Sequence, residues 1–551
     1  MSDRKMGIVE QLIRSRTSLH PDDIWLKWED STFTWQEVLS YCQRIANGLI
    51  ELGAVPGDIV GIICRNRPEF LWAHFGASFM GVKSVPINIS QRGNALTHIL
   101  NDSAAKFIIV ERELLPDLSQ LLESSPSVTK IIVIDCDEKQ GKYYSFEQLY
   151  DAPDCEPQVQ VENAVGAAGM LYTSGTTGPP KGVVSDRVDG SGFLPILTAM
   201  GVSAGETMYC ALPLFHGNGL LISTLGSMVL DAKLALSSKF SASRFFEEAS
   251  KFEAVEFNAL GAMISILLSR PVSSSDREHK IRTVLSAGCP PNRWREFEER
   301  FGVKLVEFYG MVDAPGLLLN QDGKIGSMGK PVGGCEFEVF DDADKPLPPG
   351  QVGELVFRTP LGASTSYHNN PEATNSAWRD GWFHTGDSAE KDDEGYFYFK
   401  GRKKESIRRL GENISPWEIE SVVNAHPEVL ESAAHAVPSE LGEDEVKLCV
   451  VLDKDSSLTH SELFQYCQGK MASYCVPRYI EFVDAIPKTE TLKIQYQKLR
   501  STPFTPNTWD HLGGEVRGDV GGAIPGDVGN NEADSKSMNS YATLRKGSSN
   551  A

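Results

Sequence analysis

The sequence predicts an α/β protein: a large N-terminal domain of parallel α/β subdomains with a small antiparallel β subdomain, then a mobile α+β C-terminal domain. Three observations carry that expectation. From Asp58 onward, short apolar runs alternate with segments of helical period, as in a parallel sheet covered by helices. Across residues 333–357 the period drops to two on either side of a Pro-rich turn. Residues 400–409 then hold six Lys or Arg in ten, and the pattern changes after them.

Ile59-Val60-Gly61-Ile62-Ile63 is continuously apolar, as a buried strand is. Residues 68–80 place Phe70, Leu71, His74 and Phe75 on one side of a helix that Gly81 stops. Val82-Lys83-Ser84-Val85-Pro86-Ile87 reads as the next strand; another helix follows, then strands at 106–110 and 130–134. Ligands of such sheets sit beyond the carboxyl ends of the strands. Glu336-Phe337-Glu338-Val339-Phe340 and Gly353-Glu354-Leu355-Val356-Phe357 flank Pro346-Leu347-Pro348-Pro349-Gly350 as a small antiparallel pair. Residues 416–425 and 461–471 are helical in spacing, and 433–437 and 446–452 strand-like, a unit of about 100 residues. The hinge falls near Lys404. The expected domains are therefore 1–403 and 404–502, with a Gly-, Asp-, Asn- and Ser-rich tail, 503–551, too poor in apolar surface to fold.

With 53 basic and 74 acidic residues the chain carries a net charge of −21, which argues against a nucleic-acid partner or a polybasic membrane-surface role. No transmembrane segment is expected, because the most apolar stretch, 220–236, is interrupted by Ser223, Thr224, Gly226, Ser227, Asp231 and Lys233. The start leads into no apolar leader, and the ten cysteines form neither a CxxC pair nor a zinc spacing. A cytoplasmic protein with reduced thiols is the expectation.

The sharpest chemical signal is Leu171-Tyr172-Thr173-Ser174-Gly175-Thr176-Thr177-Gly178-Pro179-Pro180-Lys181-Gly182. A strand runs into a loop crowded with hydroxyls and glycines and closed by a lysine. Glycines let the backbone approach an anion, hydroxyls donate to phosphate oxygens, and the ammonium adds a point charge. It is not a Walker A loop, since no Gly-Lys-Ser/Thr ends it and no helix starts after Lys181. Asp387, after Thr385 and Gly386, suits a pair of vicinal hydroxyls, and Tyr309 offers a face to a purine. Singly, Asp387 reads equally as a turn aspartate, Tyr309 and His216 as core residues, and Lys493 as a surface lysine.

The loop resembles the phosphate loop of the adenylate-forming superfamily: acyl-CoA synthetases, peptide-synthetase adenylation domains and luciferases. The other motifs of that superfamily follow in order. They are Phe215-His216-Gly217, Ala287-Gly288-Cys289, Tyr309-Gly310-Met311-Val312-Asp313, Thr385-Gly386-Asp387, Gly401-Arg402-Lys403-Lys404, Gly411-Glu412-Asn413 and Pro487-Lys488-Thr489-Glu490-Thr491-Leu492-Lys493. The region 408–413 and Pro477-Arg478-Tyr479 look similar to crotonobetaine/carnitine-CoA ligase-like members.

This resemblance implies carboxylate activation by ATP to an acyl-adenylate, then transfer to coenzyme A. It implies that Thr173, Ser174, Gly175, Thr176, Thr177, Gly178 and Lys181 hold phosphates, and that Thr176 and Asp313 hold Mg2+. Ala287, Gly288, Tyr309, Gly310 and Met311 would face the adenine, and Asp387 and Arg402 the ribose. His216 would gate the carboxylate pocket and Lys493 would catalyse adenylation. A rotation about Lys404 would then bring in Arg408 and Gly411 for thioester formation. Asn258, Ala259, Leu260, Gly261 and Met263 are the acyl-pocket candidates, for a small or slim acid.

Three positions depart from the pattern. Val312 stands where a threonine would touch the α-phosphate, Asp313 where a glutamate is usual, and Leu492 where a glycine precedes the lysine. Besides the carboxylate substrate, a carrier protein or a second copy of the chain remains open as a partner. Transfer to an amine or a carrier thiol, or nucleotide binding without turnover, are the alternative readings.

Overall fold

The fold is that of a computed structural model describing residues 5–136, 143–162, 165–173, 179–185, 193–360, 362, 364–402, 407–414, 416–440, 442–454, 456–487 and 494–515. The apolar runs near the N-terminus form a five-stranded, wholly parallel sheet. Its order is Lys83–Pro86, Ile59–Ile63, Phe107–Glu111, Lys130–Ile134, Tyr143–Ser145. The helix Pro68–Phe79 buries Phe70, Leu71, Trp72 and Phe75 and packs on the helix Trp35–Glu51. The second helix starts at a capping box: Thr34 Oγ1 accepts the Glu37 N–H and the Glu37 carboxylate accepts the Thr34 N–H at 2.8 Å.

A nine-stranded sheet holds the middle of the chain. Ala254–Leu260, Thr283–Ala287 and Lys304–Gly310 are parallel neighbours there, in the register Leu260↔Ala287 and Ser286↔Glu307. Their carboxyl ends therefore open side by side, where a ligand of a parallel sheet binds. The interrupted apolar stretch following His216 adopts a π-helix, Asn218–Leu225. Its buried Thr224 hydroxyl donates to the Gly219 carbonyl five residues back, at 2.9 Å. Among the described residues, no helix is long and apolar enough to cross a membrane.

The expected antiparallel pair is part of a larger sheet. Glu336–Phe340 and Val352–Arg358 are extended by Trp382–Lys391, which pairs with both Trp378–Arg379 and Phe397–Arg402. A separate three-stranded unit joins Met170–Thr173, Lys181–Val184 and Ser366–Tyr367. The C-terminal part has its own core, including Ile419, Val423, Leu448, Leu463 and Ile480. It comprises the hairpin Ile407–Arg409/Glu412–Ile414, the helices Pro416–Val423 and His460–Gln468, and a five-stranded sheet.

That sheet corrects the expected start of disorder at residue 503. Trp509–Asp510 pairs with Tyr479–Phe482, and Gly514–Glu515 pairs with Trp509–Asp510. The physical reason is polar. Glu481, nearly buried, accepts from the hydroxyls of Thr505 and Thr508 at 2.7 Å each, and Arg478 grips the Asp510 carboxylate at 3.0 and 3.2 Å. Ordered structure thus reaches Glu515, and the rest of the expected tail lies outside the described residues.

Candidate active site

The base of the phosphate loop is set by an antiparallel pair in which Thr173 stands opposite Lys181. The loop residues Ser174, Gly175, Thr176, Thr177 and Gly178 lie outside the described residues. What they hang from is well defined. Lys181 places its ammonium over the ring of Tyr367, 4.7 Å from the centroid. The Tyr367 hydroxyl donates to Asp313 Oδ1 at 2.8 Å, and Thr173 Oγ1 donates to the same oxygen at 3.4 Å. Thr365 Oγ1 fixes the Asp313 carbonyl at 2.5 Å. Three predicted phosphate and metal residues, Thr173, Lys181 and Asp313, thus converge around one tyrosine. Tyr367 was not anticipated, although it closes the hydroxyl-rich run Ser364-Thr365-Ser366.

The predicted nucleoside residues also come together. The Tyr309 hydroxyl donates to Asp387 Oδ2 at 2.7 Å, and Asp387 is buried, with 2 % of its surface exposed. Asp387 and Arg402 face each other across the antiparallel ladder. Ala287 ends its strand and Gly310 ends the next, while Met311 packs beside the antiparallel sheet. Gly288 has φ +80°, with open space where a side chain would be, so only glycine leaves this turn both unstrained and uncovered. Its amide and that of Cys289, the latter at 3.1 Å, donate to the buried carboxyl of Glu307. Burial pushes Glu307 up to about 8, against the pull of Ser286 and the two amides. Glu307, two residues before Tyr309, is a support that motif reading did not single out.

The third part comes from the C-terminal domain, whose hairpin docks onto the cleft. Leu410 and Gly411 both have positive φ, 52° and 80°, forming the tight turn between Arg409 and Glu412. A Cβ at Gly411 would strike Leu260 Cδ1. Next to it, Glu412 Oε1 meets His216 Nε2 at 2.7 Å. Behind it, Asn88 Nδ2 reaches Glu412 Oε1 at 3.4 Å and Tyr474 at 3.3 Å, and Gln91 reaches Tyr474 at 3.2 Å. Arg408 donates its backbone N–H to Asp444 at 2.9 Å. His216, expected at the carboxylate pocket, is therefore engaged by the C-terminal domain. Lys404 and Lys493 lie outside the described residues.

The departures from the expected motif have local packing. Val312 Cγ1 fills the space where a Cβ of Gly217 would stand, so the valine and the missing side chain fit one another. Of the acyl-pocket candidates, Asn258 is buried and donates to Asn218 Oδ1 at 2.6 Å and Ser223 Oγ at 3.0 Å. Gly261 lies directly on the Gly288 carbonyl, leaving no room for a side chain.

A hydroxyl- and lysine-bearing loop base, an uncovered glycine turn over adjacent strand ends, a Tyr–Asp pair and a docked second domain are together the features of an adenylate-forming enzyme. The chain belongs to the AMP-binding enzyme family, which matches residues 13–368, with the family's C-terminal domain matching residues 418–493. A crotonobetaine/carnitine–CoA ligase of Salmonella heidelberg (strain SL476) is 28 % identical over 483 residues, covering 85 % of this chain and 93 % of that one. Among solved structures, a double mutant of o-succinylbenzoate CoA synthetase from Bacillus subtilis, bound to the product analogue OSB-NCoA, is 26 % identical. It superposes with a TM-score of 0.76 over 89 % of this chain and 97 % of that one. The same B. subtilis synthetase in complex with AMP gives only 0.62, at the same identity and coverage.

Proposed function

We propose that this chain is an AMP-forming acyl-CoA synthetase acting on a small-molecule carboxylic acid. The observation that carries this reading is the docked hairpin: Glu412 on His216 and Gly411 against Leu260 put the C-terminal domain over the acyl side of the cleft. The better superposition on the product-analogue complex than on the AMP complex of one synthetase supports the same view. It is an arrangement suited to an acceptor's approach to the acyl group. A binder without turnover has no need of it.

In the first half-reaction a carboxylate oxygen attacks the α-phosphorus of ATP; the new P–O bond forms as the bond to pyrophosphate breaks. Thr173, Lys181 and the loop 174–178 hold the phosphates, and Asp387 with Arg402 holds the ribose. The Asp313 carboxylate and the Thr173 hydroxyl are hard oxygen donors that fit Mg2+, and they, with Thr176, would hold it. Bound there, it would supply charge neutralisation to the phosphates. Lys493 stabilises the charge that develops on the oxygens between carboxylate and phosphorus. In the second half-reaction the thiol sulfur of coenzyme A attacks the acyl carbonyl; the C–S bond forms as the acyl C–O bond to the phosphate breaks, AMP leaves, and the thiol proton is released to solvent. A cytoplasmic setting fits the ten free cysteines, seven of them buried.

The test is a panel of aliphatic and aromatic carboxylates scored by ATP-dependent pyrophosphate release, with and without coenzyme A. Acid-dependent release together with a coenzyme A thioester product is expected. Release with no thioester at any coenzyme A concentration would overturn the reading in favour of an amine or carrier-thiol acceptor.

A further inference from the structure

The strand Lys83–Pro86 of the N-terminal parallel sheet runs into a turn that its own bonds hold in shape. Asn88 Oδ1 accepts the Ser90 N–H at 2.9 Å, and the Gln91 N–H closes on the Asn88 carbonyl at 2.9 Å. The Arg92 guanidinium donates to the carbonyls of Ile89 and Gln91 at 2.8 and 2.9 Å. All these partners lie within the turn, so it needs nothing from the C-terminal domain to form. With Oδ1 engaged locally, Asn88 sends its amide Nδ2 across the domain boundary, to the Tyr474 hydroxyl at 3.3 Å and Glu412 Oε1 at 3.4 Å. Gln91 Nε2 donates to the same hydroxyl at 3.2 Å, and both Gln91 and Tyr474 are buried.

The backbone makes the same crossing. Gly93 opens the helix Gly93–Ser103 with φ +52°, and a Cβ there would stand 2.9 Å from the Lys470 carbonyl oxygen of the C-terminal domain. The helix it opens packs on Pro416–Val423 of that domain. On the far side of the contact, Arg409 donates to the carbonyls of Tyr474 and Val476 at 3.0 and 2.7 Å. Arg409 ends the first strand of the hairpin, immediately before the Leu410-Gly411 turn that rests on Leu260. Where Tyr474 is held therefore fixes where the hairpin tip stands.

We propose that the turn 88–93 is the seat of the C-terminal domain in its thioester-forming position, with Asn88 and Gln91 as positioning residues that grip the Tyr474 hydroxyl and Gly93 admitting the Lys470 carbonyl. Through Arg409, the seat sets how far the Gly411 tip reaches over the acyl side of the cleft. This rests on the acyl-CoA synthetase reading. The seat has no part in the first half-reaction, for which the domain leaves this position.

The test uses the full chain, the carboxylate giving the fastest pyrophosphate release, and its synthetic acyl-adenylate. Tyr474→Phe keeps the buried ring and removes the hydroxyl that two amides share. It is expected to slow thioester formation from supplied acyl-adenylate and coenzyme A by about tenfold, while carboxylate-dependent pyrophosphate release stays within about twofold. Gly93→Asn perturbs the other domain: asparagine tolerates the left-handed backbone, but its Cβ meets the Lys470 carbonyl, so the same split between half-reactions is expected. Gln91→Ala should be milder, and Gln91→Ala combined with Tyr474→Phe should be no slower than Tyr474→Phe alone, because the bond it breaks is already gone. An unchanged thioester rate in Tyr474→Phe and Gly93→Asn, a fall in both half-reactions or in pyrophosphate release alone, or multiplying effects in the double variant overturns the seat alone. A wild-type protein that makes adenylate but no thioester overturns the parent reading and the seat with it.

Discussion

Stopping the chain after Thr502 should unfold the C-terminal domain, whereas stopping it after Glu515 should not. Residues 503–515 look dispensable by composition, yet they complete a buried charged site. Lys447 and Glu481 form an ion pair at 2.5 Å with side-chain exposures of 2 % and 8 %. Thr505 and Thr508 each donate to one oxygen of the Glu481 carboxylate, and the Trp509–Asp510 strand covers the edge beside it. Two hydrogen bonds to a charged group, at about 1.5–3 kcal/mol each, amount to about 3–6 kcal/mol. That is comparable with the whole stability of a domain this size, about 5–15 kcal/mol. The loss of the Arg478–Asp510 pair and of the Phe504–Tyr479 ring contact adds to it. Calorimetry of the two stop variants should therefore show the C-terminal transition lowered by at least about 10 °C for the shorter chain and unmoved for the longer. The transition of the large domain should persist in both. If the shorter chain melts as the full one does, the polar closure around Glu481 contributes nothing and the reasoning fails.

Val312→Thr should speed adenylation about tenfold if its hydroxyl supplies ~1.4 kcal/mol to the transition state while its methyl keeps the contact with Gly217; an unchanged or lower rate shows a pocket organised around the valine. Glu307→Gln should flatten the pH dependence of stability. The folded acid holds its proton to about pH 8 while the unfolded one loses it near 4.5, so wild-type stability falls as pH rises through that window, by up to about 5 kcal/mol. Urea titrations at pH 5 and pH 8 check this, and a wild type as stable at pH 8 as at pH 5 refutes it. Lys493→Ala should nearly abolish pyrophosphate release yet still convert supplied acyl-adenylate and coenzyme A to thioester at close to the wild-type rate; loss of both half-reactions refutes the division of labour.

The parallel sheets and the small antiparallel sheet were legible because their strands are long enough to show a period, as Ile59–Ile63 and Glu336–Phe340 do. Thr173, Lys181, Asp313, Tyr309 and Asp387 could be picked out because each sits in a short local run of the residue types that a phosphate and a ribose would need, and the structure brings them into two clusters. Tyr367, Glu307 and Glu412 were not, since each acts on a partner brought near only by folding: Asp313, Gly288 and His216. The strand at Trp509–Asp510 failed for a similar reason. It is two residues long, with no period to read, and its stabilising partner Glu481 lies more than twenty residues upstream in a separate apolar run. A π-helix was likewise unreadable, because Asn218–Leu225 has the composition of any buried helix and a backbone pairing five residues back leaves no mark in it.

The placement of the two lid motifs explains why one cleft needs a moving domain. The hairpin Ile407–Arg409/Glu412–Ile414 is held to the C-terminal core through buried Ile407 and Ile414. The segment bearing Lys493 springs from the same body. It leaves after buried Ile486 and returns at Gln495, whose N–H closes on the Pro487 carbonyl at 2.8 Å; Tyr496 then bonds Glu420 on the helix Pro416–Val423 at 2.8 Å. The hairpin and the chain on either side of residues 488–493 are thus parts of one packed unit. With the hairpin tip against Leu260 and His216, the space over the acyl carbon is already taken from the side of Gly411. On the proposed mechanism, in which Lys493 serves the first half-reaction, this unit would have to turn, withdrawing Glu412 and freeing His216. One body that carries both motifs would present one of them at a time, and the reactive adenylate would stay covered through most of the exchange.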